Sequence, residues 1–233
     1  SFGARTGAAE TCFKALKAAY KWGEKRGYPK GSAIRTMKSE HKSKGGAVAW
    51  TDTDVARFLE RHGPGTMARL WFCLADCTAG RIGDAPSLGP SNEVNLNGER
   101  ALSWQPKKAG SKSVTVPMTD MLRAELLEHG DMSRATYLVT DYGRPFASSG
   151  SLDNRVRKWI IEAGLTNNDG KAKRSQHGIR KGVAQLLANR GATEYEIMAV
   201  LSHADPRTTR IYTEKAEREG LALSASRKRK LRD

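Results

Sequence analysis

Apolar residues recur at three- and four-residue spacing along much of the chain, as is typical of helices that bury one face. Residues 8–27 place Phe13, Leu16 and Tyr20 on one side and end at Gly27. A second helix is predicted to begin at Thr51, and residues 66–78 are apolar on nearly all sides, which predicts a buried helix. The same spacing predicts further helices at about 119–129, 149–163, 176–190, 193–201 and 206–219.

The period changes from helical to alternating in the middle third of the chain. Residues 93–96, 101–105 and 113–117 alternate polar and apolar side chains or are β-branched. Asn97-Gly98 separates the first two segments, and a Lys- and Gly-containing stretch separates the last two, as expected for turns. We therefore predict an α+β fold that is mostly α-helical, with a small three-stranded antiparallel sheet.

The distribution of polar residues divides the chain into four parts. Residues 1–27 hold the first helix, and 28–49 are polar, basic and without apolar periodicity, which indicates a linker. Residues 50–220 form the main domain. Residues 221–233 are predicted to be a basic tail, disordered over the Lys- and Arg-rich run at 227–232.

The charge indicates a polyanionic partner. The 233 residues include 40 Lys and Arg against 25 Asp and Glu, a net charge of +15. Nucleic acid is the usual partner of such a protein, although a cationic surface kept for solubility, or a ribosomal or membrane-surface role, also fits the charge alone. No apolar run approaches the ~18 residues of a membrane span. The three cysteines, Cys12, Cys73 and Cys77, indicate neither a disulfide framework nor a zinc finger.

Three short segments carry candidate chemistry. Arg81-Ile-Gly-Asp84 follows the buried helix, and His177-Gly-Ile-Arg180 begins a later helix, where two side chains three residues apart share one face. The third segment runs from Leu201 through His203 to Tyr212. The sequence contains neither the common nucleotide-binding and hydrolase motifs nor an acidic cluster typical of two-metal nucleases. If the protein acts on phosphodiesters, its side-chain cations would therefore have to neutralise the charge of the phosphate.

The ordered set Arg81, His177-x-x-Arg180, His203 and Tyr212 resembles the tyrosine recombinases, or phage-type integrases. The resemblance covers about residues 50–220 and implies the catalytic-domain fold of that family. It also implies that residues 1–27 are the C-terminal helix of a truncated core-binding domain.

The resemblance implies a role for each of these side chains. Tyr212 attacks the scissile phosphate and forms a 3′-phosphotyrosyl bond, while Arg81 and Arg180 bind the phosphate oxygens. His203 donates a further hydrogen bond to that phosphate, and His177 accepts the tyrosine proton.

Two more residues complete the implied site. Asp84 orients its neighbours, and a lysine of the turn between the last two strands is the general acid for the leaving 5′-oxygen. The family's spacing favours Lys108 for this role, with Lys107 a competitor and Lys112 a weaker one. In two places the sequence departs from the family pattern: Ser202 stands where glycine is usual, and Gly83 lies inside the first motif.

The expected function is therefore site-specific recombination of double-stranded DNA without a metal or other cofactor. The family implies a tetramer on DNA that assembles through residues after Tyr212, no membrane association, and action at the nucleoid in the bacterial cytoplasm. Two alternatives stay open on the sequence alone. One is a type IB topoisomerase-like or hairpin-resolving enzyme with the same chemistry, and the other is a DNA-binding module without catalysis.

Overall fold

A computed structural model of the chain describes residues 6–28, 33–38, 41, 46–130 and 133–230. The chain forms two compact units, Ser1–Gly46 and Ala47–Asp233. The first unit contains α1 (Thr6–Glu24) and the short α2 (Ala33–Thr36), and Lys17 Nζ donates a 2.7 Å hydrogen bond to the Met37 carbonyl oxygen. Helix α1 lies where a helix is predicted. The predicted linker contains α2, and much of the remainder lies outside the described residues.

The second unit is mostly helical and contains one antiparallel sheet, which confirms the predicted fold class. Its elements are α3 (Asp52–Arg61), α4 (Met67–Thr78), β1 (Glu93–Leu96), β2 (Glu99–Trp104), β3 (Val114–Pro117), α5 (Asp120–Glu128), α6 (Ser149–Glu162), α7 (Gln176–Asn189), α8 (Glu194–Leu201) and α9 (Pro206–Lys230). Among the described residues, no helix is both long enough and apolar enough to cross a membrane.

Helix α9 is longer than the sequence predicts. The predicted helix ends at about residue 219, followed by a basic tail that is disordered from residue 227, whereas α9 continues through Lys230. Lys and Arg are good helix formers, so a run of them can prolong an established helix even though it has no apolar face. The expectation of disorder is therefore wrong for residues 227–230, and residues 231–233 lie outside the described part.

The sheet has the order β1-β2-β3. Asn97 and Gly98 both have positive φ, 54° and 94°, which is the geometry of the tight turn that suits the twist of two antiparallel strands. In β2 and β3, Leu102 pairs with Val116, and both side chains are buried. The longer connection between β2 and β3, residues 105–113, is called the lysine hairpin below.

The core of the second unit is organised around α4. Trp71 and Phe72 of this helix pack with Trp50 and with Phe58 of α3, and their ring centroids are 5.3 to 6.5 Å apart. Cys73 is fully buried in the same cluster, and burial raises the pKa of its thiol to about 12. Cys73 therefore packs as a small apolar side chain.

A second, smaller cluster joins α7, α8 and α9. Its buried members are small or aliphatic side chains: Ala79, Ala184, Ala188, Ile197 and Leu201. Tyr212 and Ala216 of α9 are partly buried against this cluster. Small side chains let helices approach closely, so the packing sets the position of Tyr212 relative to the beginning of α7.

The beginning of α7 is fixed by buried hydrogen bonds. Trp71 Nε1 donates to Gln176 Oε1 at 2.8 Å, and Gln176 Nε2 donates to the Gly80 carbonyl oxygen at 3.1 Å. Trp50 Nε1 donates to the carbonyl oxygen of Ser175, the N-cap residue of α7, at 3.0 Å. The start of α7 is thereby joined to the segment before α3 and to the residues after α4.

A buried ion pair holds the residue that precedes this N-cap. Arg174 Nη2 lies 2.6 Å from Asp54 Oδ2, and both side chains are more than nine-tenths buried. Burial raises the pKa of the Asp54 carboxyl, but hydrogen bonds from Thr51 and Arg174 outweigh burial and lower that pKa below its usual value. A buried carboxylate with these partners fixes the entry of the chain into α7.

Two glycines of α7 provide a matched test of this packing. A Cβ added to Gly178 would lie 2.3 Å from the Val48 carbonyl oxygen and 3.1 Å from the Trp50 ring, whereas one added to Gly182 would meet only the Trp50 carbonyl oxygen, at 3.8 Å. We predict that Gly178→Ala lowers the free energy of unfolding by about 1–3 kcal/mol, because the backbone must shift. Gly182→Ala should be neutral or raise it by up to ~1 kcal/mol through helix propensity.

Urea unfolding followed by circular dichroism measures both values. Equal stability of the two variants would show that Gly178 does not need close contact with the 48–50 segment.

Candidate active site

Arg180 lies at the centre of the predicted site. It is 6% exposed, and its guanidinium donates from Nη1 to the Ala79 carbonyl oxygen at 2.8 Å and from Nη2 to the Leu201 carbonyl oxygen. Ala79 and Leu201 lie at the C-terminal ends of α4 and α8, where helix carbonyls lack intrahelical partners and carry partial negative charge. Burial and the charge of Arg81 lower the pKa of Arg180 to about 10, so it stays charged at neutral pH.

Arg81 lies two residues beyond Ala79 and is half-buried. The turn that carries it is closed by a hydrogen bond from the Asp84 N–H to the Arg81 carbonyl oxygen at 2.9 Å. Gly83 therefore does not leave this segment loose. The charge of Arg81 lowers the pKa of Arg180, His177 and His203, so the four residues are coupled electrostatically.

Asp84 is buried and points toward the sheet. Its Oδ1 accepts a hydrogen bond from the backbone N–H of Lys107 at 2.8 Å. Its negative charge also acts on Arg180, raising the pKa of that guanidinium. Asp84 thus joins the Arg81 turn to the lysine hairpin.

His177 lies in the first turn of α7 with its side chain partly exposed. Partial burial lowers its pKa, and the charges of Arg180, Arg81 and Lys181 lower it further. The ring is consequently neutral near pH 7. A neutral imidazole next to cations can accept a proton and gain stability once an anion enters the site.

His203 follows the end of α8, and its Nδ1 lies 2.8 Å from Thr209 Oγ1. Burial lowers its pKa to about 4, and the charges of Arg180, Arg81, Lys108 and His177 contribute. A Thr209 hydroxyl that donates to Nδ1 leaves the ring proton on Nε2, from which it can be donated to a ligand.

Tyr212 lies in the second turn of α9, and its charge state acts on Arg180. The surrounding part of α9 is held by Glu194 of α8. Glu194 Oε1 lies 3.2 Å from Arg210 Nε and accepts a 3.4 Å hydrogen bond from Thr213 Oγ1. These contacts on either side of Tyr212 fix the rotation of α9.

Lys108 of the lysine hairpin is coupled electrostatically to His203, because its charge contributes to the low pKa of that ring. Lys107 is held through its backbone N–H by Asp84. The carbonyl oxygen of Lys112 accepts a 2.9 Å hydrogen bond from Ser202 Oγ. Lys108 is therefore linked electrostatically to the candidate site.

The structure adds contacts that the sequence analysis missed. Thr209 is fully buried and binds His203, and the Ala79 and Leu201 carbonyl oxygens hold Arg180. The adjacent pair of threonines near His203 was the only signal for Thr209, and backbone acceptors have no side-chain signature. Within the described ranges, no three His, Cys, Asp or Glu side chains come together in a way that could hold a metal ion.

The site as a whole is a group of positively charged side chains with two neutral histidines. Arg81, Arg180 and Lys108 lower the pKa of neighbouring groups, as expected when cations converge without enough anionic partners. Such a site favours a ligand with concentrated negative charge, and planar guanidinium groups suit the oxygens of a phosphate.

Comparison with known proteins agrees with this geometry. A family model described as the phage integrase family matches residues 54–219. A structure of a lambda integrase dimer bound to a COC′ core site matches with a TM-score of 0.70 and 18% identity, over 89% of this chain and 73% of that chain. No curated protein sequence matches this chain significantly.

Two further solved structures have the same fold. A lambda integrase tetramer bound to a Holliday junction matches with a TM-score of 0.67 and 17% identity, over 87% of this chain and 60% of that chain. The Tn1549 transposon integrase in complex with circular intermediate DNA matches with a TM-score of 0.63 and 14% identity, over 91% of this chain and 79% of that chain.

The low pKa of His203 can be tested by titration. In the protein without DNA, we predict that the ring stays neutral down to about pH 4, and that Arg81→Gln moves its midpoint upward by roughly half a unit to one unit, because a nearby cation is removed. Nuclear magnetic resonance of the imidazole Cε1–H measures the midpoint. Arg157→Gln is the control, since Arg157 pairs with Asp153 on the surface of α6.

A wild-type midpoint near the ordinary value of ~6.5 would contradict the prediction, as would an equal shift in both variants.

Proposed function

Because the chain belongs to the phage integrase family, we propose that it recombines DNA at specific sites by cleaving and rejoining strands through a covalent 3′-phosphotyrosyl intermediate. The observation that carries the proposal is the buried Arg180, to which Arg81, His177, His203 and Tyr212 are coupled electrostatically. These are the groups that a transesterification at phosphorus needs: cations for the phosphate oxygens, a nucleophile and a proton acceptor.

In the proposed cleavage step, Tyr212 Oη attacks the scissile phosphorus and the bond from phosphorus to the 5′-oxygen breaks. The phenolic proton passes to the neutral His177, and Lys108 gives a proton to the departing 5′-oxygen. Arg81, Arg180 and His203 hold the non-bridging oxygens, where negative charge develops. One phosphoester bond is exchanged for another, so that religation to a different strand needs no external energy source.

The remaining positive charge would bind the DNA backbone without reading its sequence. Between residues 1 and 50 there are eleven Lys and Arg against three Glu, a local charge of +8, and further cations lie on the last turns of α9. Phosphate contacts of this kind position a protein on DNA and weaken steeply with salt.

We further propose that the protein acts as a tetramer on DNA, assembled through residues after Tyr212. The lambda integrase tetramer on a Holliday junction supports this by analogy of fold. Leu221 and Leu223 on the distal part of α9 are 70% and 63% exposed, so they are available to a neighbouring copy.

Covalent trapping tests the cleavage step. We predict that nicked duplexes of mixed sequence, from which cleavage releases a short oligonucleotide, give a protein–DNA adduct on a denaturing gel. Tyr212→Phe should abolish the adduct, because the nucleophilic hydroxyl is lost. Arg81→Ala should lower adduct formation about 100-fold or more while binding is largely kept, because most of the cations that hold the backbone lie elsewhere.

The adduct experiment also separates the alternatives. Absence of an adduct from the wild-type chain would favour a DNA-binding module without catalysis. Sequencing of the trapped DNA gives the target site, and products that are relaxed but never recombined would indicate a topoisomerase-like enzyme. Loss of binding and cleavage together in Arg81→Ala would refute the proposal that Arg81 acts on the scissile phosphate while other cations hold the DNA backbone.

Assembly on the trapped duplex is tested separately. We predict that Leu221→Ser with Leu223→Ser leaves single-site binding intact and reduces the tetramer in light scattering. Leu127→Ser on α5 is the matched control, because Leu127 is also an exposed helical leucine, at 76%. Unchanged assembly in the double variant would exclude this segment from the interface.

A further inference from the structure

The lysine hairpin is anchored to other parts of the protein at both ends. At one end the Asp84 carboxylate accepts from the Lys107 N–H at 2.8 Å. At the other end Ser202 Oγ donates to the Lys112 carbonyl oxygen at 2.9 Å. Lys108 lies between the two anchors, so its ammonium can be held in one place only while both anchors hold.

Ser202 makes its hydrogen bond from an unfavourable backbone conformation. It ends α8 with φ 49° and ψ 47°, the left-handed region in which glycine is favoured because a Cβ is strained there. A glycine would end the helix with less strain, as is common at helix C-termini. What the serine has and a glycine lacks is its side chain, whose hydroxyl contacts Lys112.

Ser202 lies between two residues that contribute to the candidate site. The residue before it, Leu201, gives its carbonyl oxygen to Arg180, and the residue after it is His203. Ser202 is 7% exposed, so water competes little for its hydroxyl. The hydrogen bond therefore joins the lysine hairpin to the short segment that places two other site residues.

We propose that Ser202 is a positioning residue, whose hydroxyl holds the lysine hairpin against the end of α8 and thereby keeps the Lys108 ammonium beside the reacting phosphate. The proposal rests on the function proposed above, in which Lys108 protonates the leaving 5′-oxygen. It gives a physical role to the serine that departs from the family's usual glycine.

Two substitutions separate the effect of the Ser202 hydroxyl from the effect of its strained backbone conformation. Ser202→Gly and Ser202→Ala both remove the hydrogen bond, but only glycine relieves the left-handed strain. We expect both variants to cleave the trapped duplex about 3- to 10-fold more slowly at saturating DNA, the loss of one hydrogen bond. Ser202→Gly should nevertheless unfold at the same urea concentration as the wild type or a higher one.

Amide hydrogen exchange in the protein without DNA measures the anchor itself. The amides of residues 107–111 should exchange faster in both Ser202 variants, by about the same factor as the decrease in their cleavage rate. The amides in the middle of α4 should be unchanged, because the core does not depend on this contact.

A substrate with sulfur in place of the 5′-bridging oxygen tests whether Ser202 acts through Lys108. A thiolate leaves without a proton donor, since the pKa of a thiol is only ~8.5. We expect Ser202→Gly, like the reference variant Lys108→Ala, to cleave this substrate at the wild-type rate.

The outcomes distinguish this inference from the proposed function. Cleavage of the oxygen substrate by Ser202→Gly at the wild-type rate, or a defect that persists with sulfur, would overturn the positioning role. Failure of the wild type to cleave either substrate would overturn the proposed function instead. Hydrogen exchange would then still decide whether Ser202 holds the hairpin, since unchanged exchange in both variants refutes the anchor.

Discussion

A guanidinium removed from water must be surrounded by acceptors, and Arg180 meets this requirement with the carbonyl oxygens of Ala79 and Leu201. Both acceptors are available because helices α4 and α8 end there. The two helix ends must therefore lie on either side of one side chain of α7. Since Arg81 and His203 come directly after those ends, the same two hydrogen bonds also place the neighbouring members of the site.

Burial in the first place, and the nearby positive charge in the second, explain why the two histidines are unprotonated. With Arg81 and Arg180 close by, a charged imidazole is disfavoured, so that His177 and His203 are neutral in the free protein. In the proposed reaction, the phosphodiester would bring the opposite charge and would favour a protonated histidine when the proton is taken up. The positive charge of the site would thus be neutralised only when the proposed phosphodiester is bound.

The sequence was sufficient wherever a feature has a local pattern. Apolar spacing located the helices, and alternation together with Asn97-Gly98 located the sheet. The order of motifs predicted a site of Arg81, His177, Arg180, His203 and Tyr212, whose charges act on one another in the structure. The sequence did not reveal contacts in which one partner is distant in the chain or is a backbone atom. Ser202 and Lys112 are 90 positions apart, and carbonyl acceptors leave no signature. The helical run at 227–230 was missed because it has no apolar face.

The two clusters of the main unit differ in the size of their side chains. Around α4 the buried surface is made of large aromatic rings, whereas α9 is seated on alanines, an isoleucine and a leucine. Small side chains remove little apolar area from water, so detaching α9 costs much less free energy than opening the aromatic core. Tyr212, the proposed nucleophile, is therefore carried by the part of the unit that can separate first, and its position can change while the rest stays folded.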